Sequence, residues 1–540
     1  MVNQSTADTD SLIDTPTNYE ASSGNNGGNY CTWNPLNTER PSGAAGLSTL
    51  ANGNLDNSGN NTDAVGTMGV SSGKWYFEVT RISGGSTDTN GVGFYLSGTS
   101  EEAMYRDGGL FQYNGSASSY GASWSTDGVV IGVALDLDNT SITFYKDGSS
   151  QGVAKSDLPA GTWIPLMLNR STSTFAANFG QRPFAYTPPT GYLSLCTQNL
   201  PDPTIADGST AMDVALWTGN GSTQSISGLS MSPDLVWIKN RGASFSHHLY
   251  DVVRGVSERL RSDRTNAADT AVPITSFDSA GFTLPTDITG AINQSSNTYV
   301  GWAWDGGTST ATNTDGSITA NVRANQSTGF SIVSYTGTGS AETIGHGLNA
   351  APHLVIIKER DTPSSGTSGW MTYHKGVNDA NKYLRLEGTA AAQTASAVFG
   401  SDPTASVFSI GNDREVSDSS KAFIAYCFAP VAGYSAFGSY TGNSSTDGLF
   451  VYTGFRPRFL LFKRSSSTSN WVIMDTAINS YNVAQDYLRA DLSNAETSLA
   501  AGLDILSNGF KFRTSAFPND SATYIYAAFA ENPFKYSRAR

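Results

Sequence analysis

An internal repeat beyond about residue 210 constrains the fold more than any other feature of this 540-residue chain. Each unit opens on an aromatic residue followed by Thr and Gly. A proline that begins an apolar strand comes fourteen or fifteen residues after that glycine. The three openings begin at Trp217, Tyr335 and Tyr440, and the three prolines are Pro233, Pro352 and Pro457. Self-similarity at a spacing of about 100–120 residues indicates three tandem copies of one supersecondary unit.

The strand after each proline is apolar at successive positions, which predicts a central strand with a core on both faces. Each of these strands ends in a lysine six residues after the proline, at Lys239, Lys358 and Lys463. We expect this charge to mark the point where the strand leaves the core. A Leu-Arg pair recurs further on, at Leu260-Arg261, Leu384-Arg385 and Leu488-Arg489. Each unit closes on an aromatic strand, at Tyr299–Trp304, Phe423–Phe428 and Tyr524–Phe529.

The composition agrees with an all-β chain. Only 14% of the residues are charged, against about 25% in an average soluble protein. The 56 glycines accompany many Ser, Thr and Asn residues, which suit short strands joined by tight turns. The 38% of hydrophobic residues suffice for several cores. The fold class predicted is therefore all-β.

The charge balance and several missing patterns exclude whole classes of function. The formal net charge is −14 and no basic run occurs, so we expect no nucleic acid partner. No apolar stretch of about 18 residues occurs, so we expect no membrane insertion. The N-terminus lacks the basic and apolar regions of a secretory signal. Cys31, Cys196 and Cys427 are too scattered for disulfides or a zinc site and are predicted to be buried thiols.

Between residues 30 and 192, aromatic and β-branched runs alternate with turn residues. Long strands are predicted from Lys74 and from Val129. The Asp138-Asn139 pair after the second of these strands predicts a tight hairpin. Strands at this spacing are typical of a two-sheet sandwich.

Several of these runs resemble SPRY domains. Gly73–Val79, with the sequence Gly-Lys-Trp-Tyr-Phe-Glu-Val, is similar to the opening strand of that family. Ile131–Asp138 and Ile142–Gly148 resemble its central hairpin. Asn178-Phe179-Gly180, followed by Pro183-Phe184, resembles its closing strand. The resemblance implies a β-sandwich that recognises partners through loops at one end and performs no chemistry.

Two strings that could carry chemistry are interpreted as structural. Gly148–Gly152 has the Gly-x-Ser-x-Gly form, but a nucleophile elbow needs a following helix and the pattern here predicts a strand hairpin. His247 and His248 are adjacent with Asp251 nearby, but neighbouring strand residues point to opposite faces and cannot easily share one ion. No glycine-rich phosphate-binding string opens a helix. We therefore expect no catalytic residue, no metal and no cofactor, and the protein is not expected to be an enzyme.

A second resemblance covers most of the chain. Asn29–Leu36, the Leu195–Pro201 linker and the repeats that close on aromatic strands resemble appendage proteins of tailed bacteriophages. This resemblance implies a structural virion protein, a tail fibre or similar appendage that contacts the host surface after assembly in the host cytoplasm. A capsid decoration or head-fibre protein is one alternative. A polysaccharide depolymerase is another, although no β-helix periodicity is present.

The predicted organisation is a rod of small domains. Residues 1–28 have few apolar residues and are expected to be an arm that becomes ordered only on another virion protein. The further segments are a SPRY-like sandwich at 29–195, linkers at 196–210 and 307–328, and repeats at 211–306, 329–430 and 434–540. The expected partners are other virion proteins through the arm, a host surface glycan or protein, and further copies of this chain, with a trimer favoured.

The binding residues are predicted in the long loop at residues 97–126. Tyr105, Arg106, Tyr120 and Trp124 stand there among glycines and serines. Aromatic residues and arginine anchor protein partners, and flat rings also stack on sugars. The prediction requires Tyr105, Arg106 and Trp124 to be substantially exposed.

Overall fold

The computed structural model describes residues 29–535 except 40, 85–88, 288, 378 and 380. The predicted arm, residues 1–28, lies outside the described residues. The chain divides into two compact units. Unit 1 contains the described residues up to Asp202 together with Leu449–Gly454, and unit 2 contains Pro203–Gly448 and the described residues from Phe455 onward. No helix in the described part of the chain is both long and apolar enough to cross a membrane.

Unit 1 is a sandwich of two sheets. Its strands are β1 (Gly46–Leu47), β2 (Thr49–Ala51), β3 (Asp56–Gly59), β4 (Thr62–Val65), β5 (Lys74–Gly84), β6 (Gly91–Leu96), β7 (Glu102–Arg106), β8 (Leu110–Tyr113), β9 (Ser116–Ser119), β10 (Val130–Asp136), β11 (Ser141–Lys146), β12 (Ser149–Lys155), β13 (Trp163–Asn169), β14 (Ser173–Asn178) and β15 (Leu193–Ser194). One sheet has the order β1-β4-β13-β6-β7-β8-β9 and the other β12-β11-β10-β5-β14-β3-β2, with β15 paired to β5. Phe77 on β5 packs against Phe94 on β6 at 5.4 Å between ring centroids, which joins the two sheets. The predicted sandwich is confirmed.

Unit 2 is also almost entirely β. The remaining strands are β16 (Met212–Thr218), β17 (Gln224–Ser227), β18 (Leu235–Asn240), β19 (His248–Asp251), β20 (Gly255–Leu260), β21 (Ser276–Asp278), β22 (Gly281–Leu284), β23 (Thr298–Trp304), β24 (Thr310–Asn313), β25 (Ala320–Asn325), β26 (Phe330–Thr336), β27 (Glu342–Gly345), β28 (Leu354–Glu359), β29 (Trp370–His374), β30 (Lys382–Arg385), β31 (Gln393–Thr394), β32 (Val407–Ile410), β33 (Ala422–Phe428), β34 (Ser435–Thr441), β35 (Phe450–Tyr452, part of unit 1), β36 (Phe455–Arg464), β37 (Trp471–Asp475), β38 (Ala484–Arg489), β39 (Thr497–Leu506), β40 (Gly509–Phe512) and β41 (Thr523–Pro533). The helical elements among the described residues are 3-10 turns at Gly208–Thr210 and Lys375–Val377 and one α-helical turn, α1, at Arg414–Ser417.

Each of the three repeats has its own sheet, and the same order of five strands occurs in all three. The order is β16-β23-β18-β19-β20 in repeat 1, β26-β33-β28-β29-β30 in repeat 2 and β34-β41-β36-β37-β38 in repeat 3. The strand that follows each proline is the middle strand in all three sheets. Its residues are buried on both faces, as successive apolar positions require. The repeated sequence pattern therefore corresponds to a repeated topology.

The aromatic residue of each opening triplet stacks on the first aromatic residue of the closing strand. The ring centroids are 5.4 Å apart for Trp217 and Tyr299, 5.1 Å for Tyr335 and Phe423, and 5.0 Å for Tyr440 and Tyr524. The planes in these pairs are nearly parallel. Offset stacking of this kind adds to the burial energy of the rings. The pair fixes the register of the sheet in each copy.

The glycine of each opening triplet is required by a close approach of backbone. A Cβ atom at Gly219, Gly337 or Gly442 would lie 2.1–2.3 Å from a carbonyl oxygen, that of Gln294, Asp418 or Asp520 respectively. Real Cβ atoms do not come so near, and only glycine leaves the required space.

The repeats close into a ring instead of extending as the predicted rod. The Trp370 indole of repeat 2 donates to the Arg261 carbonyl of repeat 1 at 2.9 Å, and the Trp471 indole of repeat 3 donates to the Arg385 carbonyl of repeat 2 at 2.9 Å. His247 occupies the same position in repeat 1 and contacts the Arg489 carbonyl of repeat 3 at 2.8 Å. Repeats 2 and 3 thus each contact the preceding repeat, and repeat 1 contacts repeat 3. A head-to-tail interface that closes in this way forms a ring.

Backbone hydrogen bonds follow the same cycle. The amide of the seventh residue after each Leu-Arg pair donates to a neighbouring repeat, from Ala268 to the Arg360 carbonyl, from Ala392 to that of Ser465, and from Glu496 to that of Arg241. The distances are 2.8, 2.9 and 2.8 Å. The Leu-Arg pairs recur because they lie at these three junctions.

Equivalent aromatic side chains from the three closing strands meet where the repeats converge. Trp304, Phe428 and Phe529 lie 5.6–6.1 Å apart, each touching the other two. They are 2–5% exposed. The surrounding void is about 20 Å³ and its lining is apolar, so the repeats share a single closed core at this point.

The three lysines that end the central strands are fully buried, and the expectation that they leave the core is wrong. Lys239, Lys358 and Lys463 are each 0% exposed, and each ammonium donates to the carbonyl of the following residue. Lys463 also donates to the Ser469 and Thr389 carbonyls. Burial lowers the pKa of all three to about 8. These side chains satisfy buried backbone acceptors that an apolar residue would leave unpaired.

Candidate partner-binding surface

The predicted long loop at residues 97–126 is wrong, because this segment forms strands β7, β8 and β9. Two of its four predicted binding residues lie in the core. Tyr105 is 0% exposed and Trp124 is 1% exposed, so the prediction that they are substantially exposed is wrong. Tyr105 lies on β7, and its ring is 5.4 Å from Phe144 and 6.0 Å from Trp124 between centroids. The rings were needed to cover the sandwich interior, since a small sandwich has little other apolar material at its end.

Arg106 and Tyr120 are only partly buried, and their role in binding stays a prediction. Arg106 donates to the Gln112 side chain. The Tyr120 hydroxyl donates to the Gly152 carbonyl, and its ring packs edge-on against Tyr105 at 5.2 Å. Burial raises the pKa of Tyr120 to about 12, which keeps the hydroxyl protonated as a donor.

Two edge strands, one from each sheet, lie on either side of Tyr120. β9 is the last strand of one sheet and β12 the last strand of the other. All four residues of β9 are exposed, and Val153 on β12 is 62% exposed. The Gln151 side chain accepts from the Ala122 amide at 2.9 Å, which joins β12 to the segment that follows β9. We call residues 113–120 and 149–155 the edge surface.

A charged and aromatic group lies at one end of the edge surface. The Lys155 ammonium sits 4.3 Å from the centre of the Tyr113 ring, within cation–π range. The Tyr113 hydroxyl donates to the Glu101 carboxylate at 3.1 Å. Burial, with Glu101 close by, raises the pKa of Tyr113 to about 12. The surface thus combines unpaired strand edges, one exposed apolar side chain and a partly buried tyrosine.

Sequence reasoning placed Tyr113 in the candidate segment but missed Val153 and Lys155 as part of this surface. Edge position depends on the pairing of distant strands, which no local pattern reports. The one available signal is that Val153 is a lone large apolar residue in the run Ser-Ser-Gln-Gly-Val-Ala-Lys.

The strings examined for chemistry have structural roles. Gly148 forms the turn before β12, so Ser150 stands on an edge strand and not before a helix. The His247 Nδ1 accepts from the Trp237 indole at 2.8 Å, which leaves Nε2 to donate to the Arg489 carbonyl. Burial lowers the pKa of His248 to about 3 and that of His247 well below its usual range. Among the described residues, no three His, Cys, Asp or Glu side chains gather closely enough to hold a metal ion.

The domain of unknown function DUF7483 matches residues 207–533. The chain belongs to this family. The DUF7483 match runs from before β16 to the end of β41, so the unit that the family shares is the complete ring of three repeats and not one repeat.

A second match assigns the sandwich, since the SPRY domain family matches residues 74–182. Ran-binding protein 9 of Danio rerio is 33% identical over 125 residues, which is 21% of this chain and 21% of that protein. Ran-binding protein 9 of Homo sapiens is 32% identical over 125 residues, 21% of this chain and 17% of that protein. The chain thus spans about a fifth of the length of these relatives. The matches establish the SPRY domain and give no support to the phage resemblance.

Two solved SPRY structures are similar to part of the chain. The SPRY domain of human HERC1 is 18% identical and covers 27% of this chain and 96% of that chain, with a TM-score of 0.23. The TRIM65 PSpry domain is 15% identical and covers 28% and 92% respectively, with a TM-score of 0.23.

Proposed function

We propose that the protein is a non-enzymatic binding protein in which the SPRY domain recognises a partner and the DUF7483 ring is its structural mount. The observation that carries this proposal is the use of the recurring residues in the ring. The opening aromatics and glycines, the buried lysines and the Leu-Arg pairs all serve packing, strand register or ring closure. No recurring residue is left over for chemistry in the described part of unit 2.

The edge surface is the proposed contact with a protein partner. Exposed strand edges offer backbone donors and acceptors to an added strand, and side chains on alternate positions supply specificity. The relatives are named Ran-binding proteins, and a protein-binding role for this SPRY domain agrees with such a name.

We further propose that the protein is a component of a tailed-phage particle, a tail fibre or similar appendage that contacts the host surface. The resemblance of the flanking segments and repeats to phage appendages supports this proposal. Assembly in the host cytoplasm and a place in the virion follow from it. The ring already contains three equivalent repeats within one chain, so the proposed homotrimer does not need to form through the repeats.

The test uses adsorption of the parent particle to its host. Immunogold electron microscopy with an antibody to this chain should label an appendage of the particle. Purified full-length protein should then compete with the particles for host cells and reduce adsorption at least tenfold. The Val153→Asp variant places a charge at the centre of the edge surface and should lose most of this competition.

Thr312→Asp on β24 is the matched control, because Thr312 is an exposed strand residue of unit 2, whereas the edge surface belongs to unit 1. It should compete as well as the unchanged protein. Absence of label from particles would contradict the virion assignment. Full competition by a folded Val153→Asp variant would remove the edge surface from the binding role.

A further inference from the structure

A cavity of about 300 Å³ opens in unit 1 beside β1, β2 and β4. Its lining includes Asn34, Leu47, Ser48, Leu50, Asn54 and Asp63. Since water occupies about 30 Å³ per molecule in the liquid, the cavity has the volume of roughly ten waters. That size lies at the lower end for small-molecule sites. Leu47 is 39% exposed, so the lining reaches the surface.

Backbone hydrogen bonds hold the walls in place. The Trp33 amide donates to the Asn54 carbonyl at 2.9 Å, and the Asn34 amide donates to the Val65 carbonyl at 2.7 Å. The Trp33 indole donates to the Leu55 carbonyl at 3.0 Å. Three segments that are distant in sequence are therefore fixed against one another. Such a site is formed before any ligand enters, which lowers the entropy cost of binding.

Two side-chain amides of the lining have unused hydrogen-bonding capacity. The Asn34 Oδ1 accepts from the Leu36 amide at 2.9 Å, but its Nδ2 has no partner among the described residues. The Asn54 side chain makes no hydrogen bond to any described residue. Asn34 is only 8% exposed. An amide group placed at a cavity wall, with little access to bulk water, favours a ligand that supplies hydroxyl or carbonyl partners.

The charge of the lining favours an uncharged ligand. Asp63 is the one ionisable side chain among the described residues of the lining. Both of its oxygens accept from Ser42, the Oδ1 from the hydroxyl at 2.6 Å and the Oδ2 from the amide at 3.1 Å. Burial raises the pKa of Asp63, while the charge of Arg170 opposes this effect. A carboxylate near the cavity disfavours anions. Its existing bonds leave it poorly placed to capture a cation.

We propose that this cavity binds one neutral saccharide unit. The amides of Asn34 and Asn54 hydrogen-bond the sugar hydroxyls, and the apolar side chains of Leu47 and Leu50 pack against the C–H faces of the ring. The inference rests on the proposed binding role of unit 1 and names a glycan as the ligand class of a second site there. It assigns the cavity to the glycan and leaves the edge surface to a protein partner.

The experiment measures saturation-transfer difference NMR on the full chain with four neutral sugars, D-glucose, D-galactose, D-mannose and N-acetyl-D-glucosamine. N-acetylneuraminic acid is the anionic probe and a tetraalanine peptide is the amide probe. At least one neutral sugar should show transfer and the other two probes should not. Asn54→Ala should weaken the affinity for that sugar at least fivefold, and Asn34→Ala should do the same.

Asn321→Ala is the matched control, because Asn321 is an exposed asparagine on β25 in unit 2. It should leave the transfer unchanged. If Asn34→Ala fails to fold because the Leu36 amide loses its acceptor, Asn54→Ala decides the outcome alone. The inference is overturned by absence of transfer to every neutral sugar, by transfer that persists in Asn54→Ala, or by binding of the anion or peptide instead. Competition for host cells that continues after such a failure would leave the proposed function standing.

Discussion

In both units the residues that form recognisable sequence patterns serve the fold, but the consequences differ. In unit 1 the SPRY strings form core strands once, and strands β9 and β12 of the exposed edge surface are mostly small residues around Val153, which follow no pattern. In unit 2 each recurring residue makes the same contact three times, within a repeat or with the next one. Three copies show which contacts are structural. A single copy offers no such comparison. Its functional surface has to be sought among residues that follow no recognisable sequence pattern.

The largest expected effect tests whether the three repeats fold as one unit. Trp304→Ala removes a ring that touches Phe428 and Phe529 from the other two repeats. Such a truncation costs about 3–5 kcal/mol. Differential scanning calorimetry should show one ring transition shifted to lower temperature and the SPRY transition unchanged. Separate melting of repeat 1, with repeats 2 and 3 unaffected, would contradict the shared core.

A smaller effect tests the repeated backbone approach. Gly337→Ala places a Cβ 2.3 Å from the Asp418 carbonyl oxygen and should destabilise the ring by about 2–3 kcal/mol. Urea denaturation followed by tryptophan fluorescence measures the difference. Gly388→Ala in the same repeat is the control, because its Cβ would lie 3.6 Å from the nearest atom. It should change stability by less than about 0.5 kcal/mol. Equal losses in the two variants would remove the steric explanation.

The smallest effect separates the two units by pH. Burial lowers the pKa of Lys358 in the folded ring to about 8, from 10.5 for an exposed lysine. Between these values the unfolded chain binds more protons, so stability falls as pH decreases from 10.5 towards 8 and then levels off. Each buried lysine contributes on the order of 1 kcal/mol between pH 8 and 9.5. In unit 1, by contrast, the hydrogen bond to Asp136 raises the pKa of Lys74, so this lysine makes stability fall as pH rises.

Denaturation midpoints at pH 8.0, 8.7 and 9.5 check this dependence. Lys358→Met should reduce the rise in ring stability with pH by about a quarter to a third, since Lys239 and Lys463 remain and burial also lowers the pKa of Lys511. It should also lower the stability at pH 9.5, where the Glu359 carbonyl loses its donor. A rise that is identical in the variant would assign the slope to other groups.

Much of the fold could be predicted from the sequence because periodic patterns report local structure. The proline-initiated strands, the β10–β11 hairpin and the sandwich all follow from alternation, turn residues and spacing. Ring closure could not be predicted, since it depends on contacts between His247 and Arg489 and their equivalents that are far apart in sequence. The buried lysines were misjudged because sequence gives their charge but not the carbonyls that surround them.

The candidate site was harder to predict for a related reason. Tyr105 and Trp124 have the chemistry of binding residues, but aromatic side chains also cover cores, and residue type does not separate these roles. Tyr120 and Arg106 lie closer to the surface. The edge surface itself arises from the order of strands in two sheets. That order is set by pairing between strands that are distant in sequence, and no local sequence pattern indicates it.

Carrying all three repeats on one polypeptide changes what mutation can do to the ring. In an assembly of identical subunits, one codon change alters every junction at once. Here the junctions are encoded separately, and they have already diverged: His247 stands where the other copies have Trp370 and Trp471. Arg241 forms an ion pair at 2.7 Å with Glu496 of repeat 3, whereas a serine, Ser465, holds the equivalent position in that repeat. Mutations can therefore weaken or strengthen one junction, or give it a partner of its own, while the other two junctions preserve the fold.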